Sequence, residues 1–333
     1  MTTEHYLSYD LDKEVILYKK NINDPISPAS ITKLMTALIL YENSELDDMV
    51  SISYPEQYDF QGKVAYLNEG NEISIEQLLE FILVYSANDS AYAAGMHVSN
   101  SIKDFVQLMN TRAKQLNMSN TNFQNPDGLD QDNHYTTLND LLILSEYILR
   151  NTKLIDITKK SKFYYEKDGK LEKYENTNLM LNNGFKGLKT GWTSRAGLTF
   201  IGYNQENNRN ILTIVNKSFV NESKDKHFED TLILYNESLS NFQDQLLLNK
   251  SDYIYKITNS LNYSFHSHNY EISKFGNINI SKILYLKNFD SSKIIFENNF
   301  DDESININLY KSENSIQYNF FMSNVISKIL LSN

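Results

Sequence analysis

The chain has 333 residues, 41% of them hydrophobic, which is enough for one large catalytic domain and a smaller second domain. Its 31 basic and 42 acidic residues give a net charge of −11, spread without long runs of one sign, which argues against a nucleic-acid partner. The absence of cysteine excludes disulfides, zinc–thiolate sites and cysteine nucleophiles.

Apolar segments of the chain are short. Residues 34–41 and 78–85 are far below the ~20 residues that span a bilayer, so each predicts a buried helix and no transmembrane segment is expected. Residues 1–5 have neither a basic nor an apolar region, so no secretory signal is expected within this chain.

The first 150 residues predict a strand hairpin followed by helices. Residues 5–9 and 15–19 alternate as strands. Ser30 then opens a segment that is apolar around most of a helical circumference, which predicts a deeply buried helix. A second helix is predicted to begin at Ser74, with Gln77 as its capping-box partner. Further helices are predicted over residues 90–98, 102–116 and 138–149.

The pattern changes to strands after residue 187. Strands are predicted over residues 188–192, 198–203 and 211–215, followed by a helix around residues 228–242. Helices between two groups of strands predict an α/β sandwich whose sheet is built from both ends of a catalytic domain, residues 1–242.

The remainder of the chain predicts two further parts. Alternating short strands over residues 243–317 predict a smaller β-rich domain. Residues 318–333 carry an apolar stripe at helical spacing, which predicts an amphipathic helix that either lies on a membrane surface or packs on the β-rich domain.

The first candidate catalytic pair is Ser30 and Lys33. Their spacing places a hydroxyl and an amine side by side on one helical face. A lysine kept neutral by burial can take the proton of a serine nucleophile. The spacing alone is weak evidence, because Ser223 and Lys226 repeat it in a polar stretch that predicts only exposed surface.

Two further short motifs follow in the chain. Ser86 and Asn88 would supply a hydroxyl for proton relay and an amide for a substrate peptide bond. Lys189, Thr190 and Gly191 would offer a substrate carboxylate a cation and a hydroxyl on a strand, where glycine lets substrate backbone approach closely. Neither motif is specific alone, but the three in this order on two helices and a strand are.

With these motifs the chain resembles the low-molecular-mass penicillin-binding proteins, specifically the D-alanyl-D-alanine carboxypeptidases. The resemblance covers roughly residues 5–242 and includes the segments at residues 120–129, 134–141 and 187–197. It implies the penicillin-binding, β-lactamase-like transpeptidase fold. It also implies removal of terminal D-Ala from peptidoglycan stem peptides through an acyl-enzyme on Ser30, with β-lactams as inhibitors and no metal or organic cofactor.

The resemblance also assigns roles to the candidate residues. Ser30, Lys33 and Ser86 are the expected catalytic residues. The expected substrate-binding residues are Asn88, Lys189, Thr190, Gly191 and Trp192, with the amide of Trp192 beside that of Ser30 as an oxyanion donor. The implied location is the periplasm or the outer face of the cytoplasmic membrane.

Each of these interpretations has an alternative. Ser30 and Ser86 could be ordinary helix-end residues, and Lys189 an edge-strand lysine. A DD-endopeptidase cutting cross-links, or a non-catalytic peptidoglycan-binding homologue, would keep the same motifs. A class A β-lactamase is not expected, because no segment matches its deacylating glutamate.

Three residues need separate expectations. Ala87 stands where the resembling enzymes most often have glycine. In the helix after the last core strand, the resembling enzymes often carry an arginine that helps to hold the substrate carboxylate, and His227 is the nearest match to it in this sequence. His227 is therefore expected to assist while it is charged, below about pH 6.5. His134 is expected to be structural.

Overall fold

A computed structural model describes residues 1–56, 58–59, 61–206, 209–218 and 224–244, together with strands at 285–287, 295–301, 304–311 and 314–321. The chain divides into two compact units, Met1–Ser238 and Leu239–Asn333. Seven described helices begin in the first unit, and the last of them ends three residues after Ser238: α1 (Lys33–Glu42), α2 (Ile75–Glu80), α3 (Asn88–Ser99), α4 (Ile102–Gln115), α5 (Leu138–Asn151), α6 (Leu154–Thr158) and α7 (Lys226–Asn241).

Nine described strands belong to the same unit: β1 (His5–Asp10), β2 (Val15–Lys20), β3 (Met49–Ser51), β4 (Glu72–Ser74), β5 (Lys162–Lys167), β6 (Lys170–Glu175), β7 (Phe185–Thr193), β8 (Gly197–Glu206) and β9 (Arg209–Ser218). Five of them form an antiparallel sheet in the order β2-β1-β9-β8-β7. β1 pairs with β9, so the sheet is built from both ends of the unit, as predicted.

Helix α1 lies in the core because it has no polar face. Every residue from Lys33 to Leu40 is buried, although a surface helix would expose one side. Pro28 precedes a short 3-10 turn, Ala29–Thr32, which leads directly into α1. Ser30 therefore lies at the start of the most deeply buried helix, where its backbone cannot shift without disturbing the core.

The start of α2 follows the predicted capping box. The Gln77 amide donates to Ser74 Oγ at 3.1 Å, and the Ser74 amide donates to Gln77 Oε1 at 3.2 Å. The helix continues as a π-helical turn, Phe81–Tyr85, and ends at Ser86 with a φ of 70°. This left-handed residue turns the chain sharply into α3, so the two polar motif residues lie at a helix junction.

The second unit contains strands among its described residues. β10 (Phe242–Asp244) pairs with β11 (Tyr285–Lys287), and β12 (Ile295–Asp301), β13 (Ser304–Lys311) and β14 (Asn314–Phe321) form an antiparallel sheet. Residues 318–321 thus belong to a strand rather than to the predicted amphipathic helix, and residues 322–333 lie outside the described residues. No helix in the described part of the chain is long and apolar enough to cross a membrane.

Candidate active site

Ser30 and Lys33 are in direct contact. Lys33 Nζ lies 3.0 Å from Ser30 Oγ, and Lys33 is fully buried while Ser30 is only partly buried. Neither Pro28, which precedes the 3-10 turn, nor Thr32, its last residue, makes a side-chain cap, and Ser30 Oγ contacts Lys33 Nζ. The geometry therefore favours the nucleophile–base interpretation over a helix cap.

The surroundings of Lys33 leave its lone pair for Ser30. Its Nζ lies 2.6 Å from Asn88 Oδ1 and 2.7 Å from the backbone oxygen of Asp127, and both of these atoms only accept hydrogen bonds. A neutral amine has two hydrogens, which these two oxygens take. Burial lowers the pKa of Lys33 to about 8, although the charges of Asp127 and Asp89 act in the opposite direction. The amine can thus accept the serine proton.

Ser86 and Lys189 form a second hydroxyl–amine pair. Lys189 Nζ donates to Ser86 Oγ at 2.8 Å and to the backbone oxygen of Thr190 at 2.9 Å. Burial, followed by the positive charges of Lys33 and Lys63, holds the pKa of Lys189 well below its ordinary value. A substrate carboxylate would favour the charged form again, so substrate binding and protonation of this pair are coupled.

Asn88 joins the first motif to the loop before β4. Its side chain accepts from Lys33 and donates through Nδ2 to the Gln61 oxygen at 2.7 Å. Because an amide nitrogen carries two hydrogens, the second N–H is available to a substrate carbonyl. Glycine at position 62 leaves room for this contact, because a Cβ there would lie only 2.7 Å from Asn88 Nδ2.

Strand β7 approaches the nucleophile closely at Gly191. A Cβ at this position would lie 3.1 Å from the Ser30 amide nitrogen and 2.8 Å from the side chain of Thr199. Glycine therefore lets the strand lie against the turn that carries Ser30. Thr190 Oγ1 lies 2.6 Å from Thr177 Oγ1, and the Trp192 side chain is exposed. The third motif thus lies directly against the turn that carries the serine.

The loop at residues 125–130 packs against the catalytic pair and the turn that carries Ser30. The backbone oxygen of Asp127 accepts from Lys33, and Gly128 follows in a left-handed conformation with a φ of +91°. A Cβ on Gly128 would lie 1.8 Å from the backbone oxygen of Ala29. Glycine is therefore required here both for the backbone conformation and for the close approach.

Gly128→Ala is expected to lower both Tm and the rate of acylation by penicillin. The added Cβ forces either the loop or Ala29 to move, and a shift of Ala29 displaces the neighbouring nucleophile, Ser30. Gly169→Ala is the matched control, since Gly169 has a φ of +75° and nothing lies within 4 Å of an added Cβ. Urea unfolding should show a cost about 2 kcal/mol larger for Gly128→Ala than for Gly169→Ala. Equal losses of stability in the two variants would contradict this assignment of the contact.

The two histidines with predicted roles are both buried. His134 Nδ1 accepts from the Gln124 amide at 3.2 Å and its Nε2 lies 3.0 Å from Thr32 Oγ1, which is a structural position as expected. His227 lies against Phe228 with ring centroids 3.9 Å apart, and burial lowers its pKa to about 4. The expectation that His227 carries a charge up to about pH 6.5 is therefore wrong, because the surrounding aromatic rings disfavour the imidazolium.

Several contacts at the site have no counterpart in the sequence prediction. The Asp127 backbone oxygen, the Thr177 hydroxyl and the Lys63 side chain all reach motif residues or their neighbours. Asp127 lies within the resembling segment at residues 120–129, but the sequence predicts no role for it. Among the described residues, no group of three or more His, Cys, Asp or Glu side chains could hold a metal ion.

Sequence comparison finds one family over most of the first unit. The profile described as D-alanyl-D-alanine carboxypeptidase, peptidase S11, matches residues 1–219. A D-alanyl-D-alanine carboxypeptidase of Bacillus subtilis is 31% identical over 212 residues, covering 61% of this chain and 54% of that protein. A D-alanyl-D-alanine endopeptidase of Escherichia coli is 30% identical over 229 residues, covering 66% of this chain and 72% of that protein.

Structure comparison finds the same class of protein. A penicillin-binding protein of Listeria monocytogenes, crystallised with cefotaxime, has a TM-score of 0.63 and 28% identity, covering 72% of this chain and 98% of that chain. This likeness confirms the predicted penicillin-binding fold. The chain spans about half the length of the first curated carboxypeptidases it matches, 54%, 57% and 52% of three of them.

Proposed function

Because the chain belongs to the D-alanyl-D-alanine carboxypeptidase family, peptidase S11, we propose that it removes the terminal D-Ala from peptidoglycan stem peptides through an acyl-enzyme on Ser30. The observation that carries this proposal is the 3.0 Å contact between Ser30 Oγ and the buried Lys33 Nζ. The family membership was predicted from the three motifs and is confirmed.

Acylation follows from the roles that these groups can take. Neutral Lys33 accepts the Ser30 proton while Ser30 Oγ attacks the carbonyl of the penultimate D-Ala. The amides of Ser30 and Trp192 are the proposed donors to the developing oxyanion, since β7 packs against the Ser30 amide at Gly191. Asn88 Nδ2 holds the acyl-chain carbonyl through its second N–H.

Departure of the leaving group uses Ser86 and the third motif. Lys189 and Thr190 bind the terminal carboxylate, and Ser86, which accepts a hydrogen bond from Lys189, gives its proton to the departing D-Ala amine. Ser86 takes up in its place the proton that Lys33 accepted from Ser30, which returns Lys33 to its neutral form. Water then attacks the ester, with Lys33 as the base. β-Lactams acylate the same serine, because their fused amide and carboxylate occupy the same positions as the D-Ala-D-Ala terminus.

Release of D-Ala from a diacetylated Lys-D-Ala-D-Ala tripeptide tests this function directly. We expect one D-Ala per peptide and stoichiometric labelling by a fluorescent penicillin at one site. Labelling without D-Ala release from any soluble peptide would contradict the carboxypeptidase proposal, and a failure of both would favour the non-catalytic homologue.

The similarity to an endopeptidase favours a second candidate function. The Escherichia coli endopeptidase is 30% identical and is matched over 72% of its length, a larger share than for the carboxypeptidases. We propose that cross-link cleavage, if present, uses the same Ser30. A cross-linked muropeptide dimer and its monomer, supplied together, measure the balance, and faster conversion of the dimer would make the endopeptidase activity the main one.

The domain and location assignments are proposals as well. We propose that residues 1–242 form the catalytic domain and that residues 243–317 form an accessory β-rich domain. The enzyme would act in the periplasm or at the outer face of the cytoplasmic membrane, where peptidoglycan is made. Peripheral membrane contact through the end of the chain remains a prediction for residues 322–333.

A further inference from the structure

Lys63 places a third ammonium group beside the two motif lysines. Its Nζ lies 4.0 Å from the centroid of the Tyr85 ring, and Tyr85 directly precedes Ser86. Its charge contributes to lowering the pKa of both Lys33 and Lys189, which puts it within electrostatic range of both halves of the site. The residue is exposed to solvent, and partial desolvation lowers the pKa of its amine.

This ammonium has no anionic partner among the described residues. Its one contact is the face of the Tyr85 ring, and it makes neither a hydrogen bond nor an ion pair there. Lys160, by contrast, is paired with Glu76 at 2.8 Å and Glu80 at 2.6 Å. A partly desolvated cation over an aromatic ring, without a carboxylate, is an arrangement suited to an anion that arrives with a ligand.

The backbone around Lys63 is fixed against Asn88. The Asn88 amide donates to the Lys63 oxygen at 2.7 Å, and Asn88 Nδ2 donates to the Gln61 oxygen at 2.7 Å. Gly62, with a φ of +70°, makes this approach possible. Lys63 therefore extends from a segment that lies alongside the amide proposed to hold the substrate's acyl chain.

The buried carboxylate of Asp89 holds the chain just after Lys63. Asp89 accepts from the Ala65 amide at 3.1 Å and from the Leu67 amide at 3.2 Å. Asp89 is fully buried and directly follows Asn88. The segment is thus held at both of its ends by the first residues of α3, so the position of the Lys63 backbone relative to the cleft is defined by the fold.

We propose that Lys63 is a specificity-determining residue that binds a carboxylate on the acyl part of the substrate, on the N-terminal side of the D-Ala-D-Ala bond. This inference rests on the proposed function. The terminal carboxylate is assigned to Lys189 and Thr190 on β7, whereas Lys63 lies beside Asn88, where the acyl chain passes. The preferred substrates are therefore peptides whose residue before D-Ala-D-Ala carries a negative charge.

Two peptides of equal backbone and different side-chain charge test the proposal. Both have the form Nα-acetyl-Lys-D-Ala-D-Ala, and the lysine Nε is either acetylated, which is neutral, or succinylated, which is anionic. We expect kcat/KM of the wild type to be about tenfold higher for the succinylated peptide, as a partly buried charge-assisted hydrogen bond allows. This ratio should fall to about one in Lys63→Met and persist in Lys63→Arg.

Lys103→Met is the matched control, because it removes the same charge from the exposed side of α4. The ratio should persist in this variant. If Lys63→Met lowers kcat/KM for both peptides by the same factor, Lys63 acts on the shared terminal carboxylate or on the catalytic lysines, and the proposal is overturned. Equal kcat/KM values of the wild type for the two peptides would also overturn the proposal. The absence of D-Ala release from both peptides would instead refute the proposed function.

Discussion

Ser30→Ala is expected to abolish covalent labelling by a fluorescent penicillin and to abolish D-Ala release. The Ser30 hydroxyl is the group in contact with the buried amine of Lys33, at 3.0 Å, and alanine leaves no atom to accept the acyl group. The fold should persist, because Ser30 is only partly buried and its side chain makes no helix cap. Mass spectrometry of the intact protein after incubation with penicillin measures the adduct directly.

Ser223→Ala provides the control that the sequence itself suggests. Ser223 and Lys226 repeat the spacing of Ser30 and Lys33, but Lys226 is partly buried and forms an ion pair with Glu229 at 3.0 Å. Ser223 lies outside the described residues. Labelling should be retained in Ser223→Ala at the wild-type stoichiometry, and an adduct that survives in Ser30→Ala would move the nucleophile elsewhere.

Much of the fold of the first unit could be predicted because its long elements have strong hydrophobic patterns. Helix α1 is mostly apolar and is buried from Lys33 to Leu40, and the capping box at Ser74 marks a helix start that the structure confirms. The hairpin β5–β6 was missed. A signal was present, because Phe163 and Tyr165 alternate with exposed residues and Asp168-Gly169 is a favoured hairpin turn sequence. The many charged residues of both strands obscured this pattern.

The motif residues of the candidate site could be predicted from the sequence. The contacts that depend on backbone atoms or on packing between distant segments could not. Ser30, Lys33, Ser86 and Lys189 are brought into two contacting pairs. The Asp127 backbone oxygen that completes the surroundings of Lys33 is a property of loop conformation, which no side-chain pattern encodes. The burial of His227 depends on packing against Phe228 and Phe200, and burial decides its charge.

Lys33→Met is expected to lower the second-order rate of acylation by penicillin by roughly 10³ to 10⁶, as is typical when a nucleophile loses its base. Methionine keeps the apolar bulk of the buried side chain, so circular dichroism and the thermal transition should show a folded protein. Lys114→Met removes a lysine near the end of α4 and should acylate at the wild-type rate. An acylation rate near that of the wild type in folded Lys33→Met would show that another group accepts the serine proton.

The pH dependence of acylation follows from the same lysine. Only the neutral amine can accept the Ser30 proton, and burial brings the pKa of Lys33 down to about 8. The acylation rate is therefore expected to rise as the pH passes through about 8 and to level off above it. The negative charge of Asp127 raises the pKa of Lys33, so Asp127→Asn should move the rising limb of the profile to lower pH. The positive charge of Lys63 lowers the pKa of Lys33, so Lys63→Met should move the rising limb to higher pH. A stopped-flow profile from pH 5 to 10 with a labile chromogenic cephalosporin measures these shifts, and limbs that coincide in all three proteins would exclude Lys33 as the titrating base.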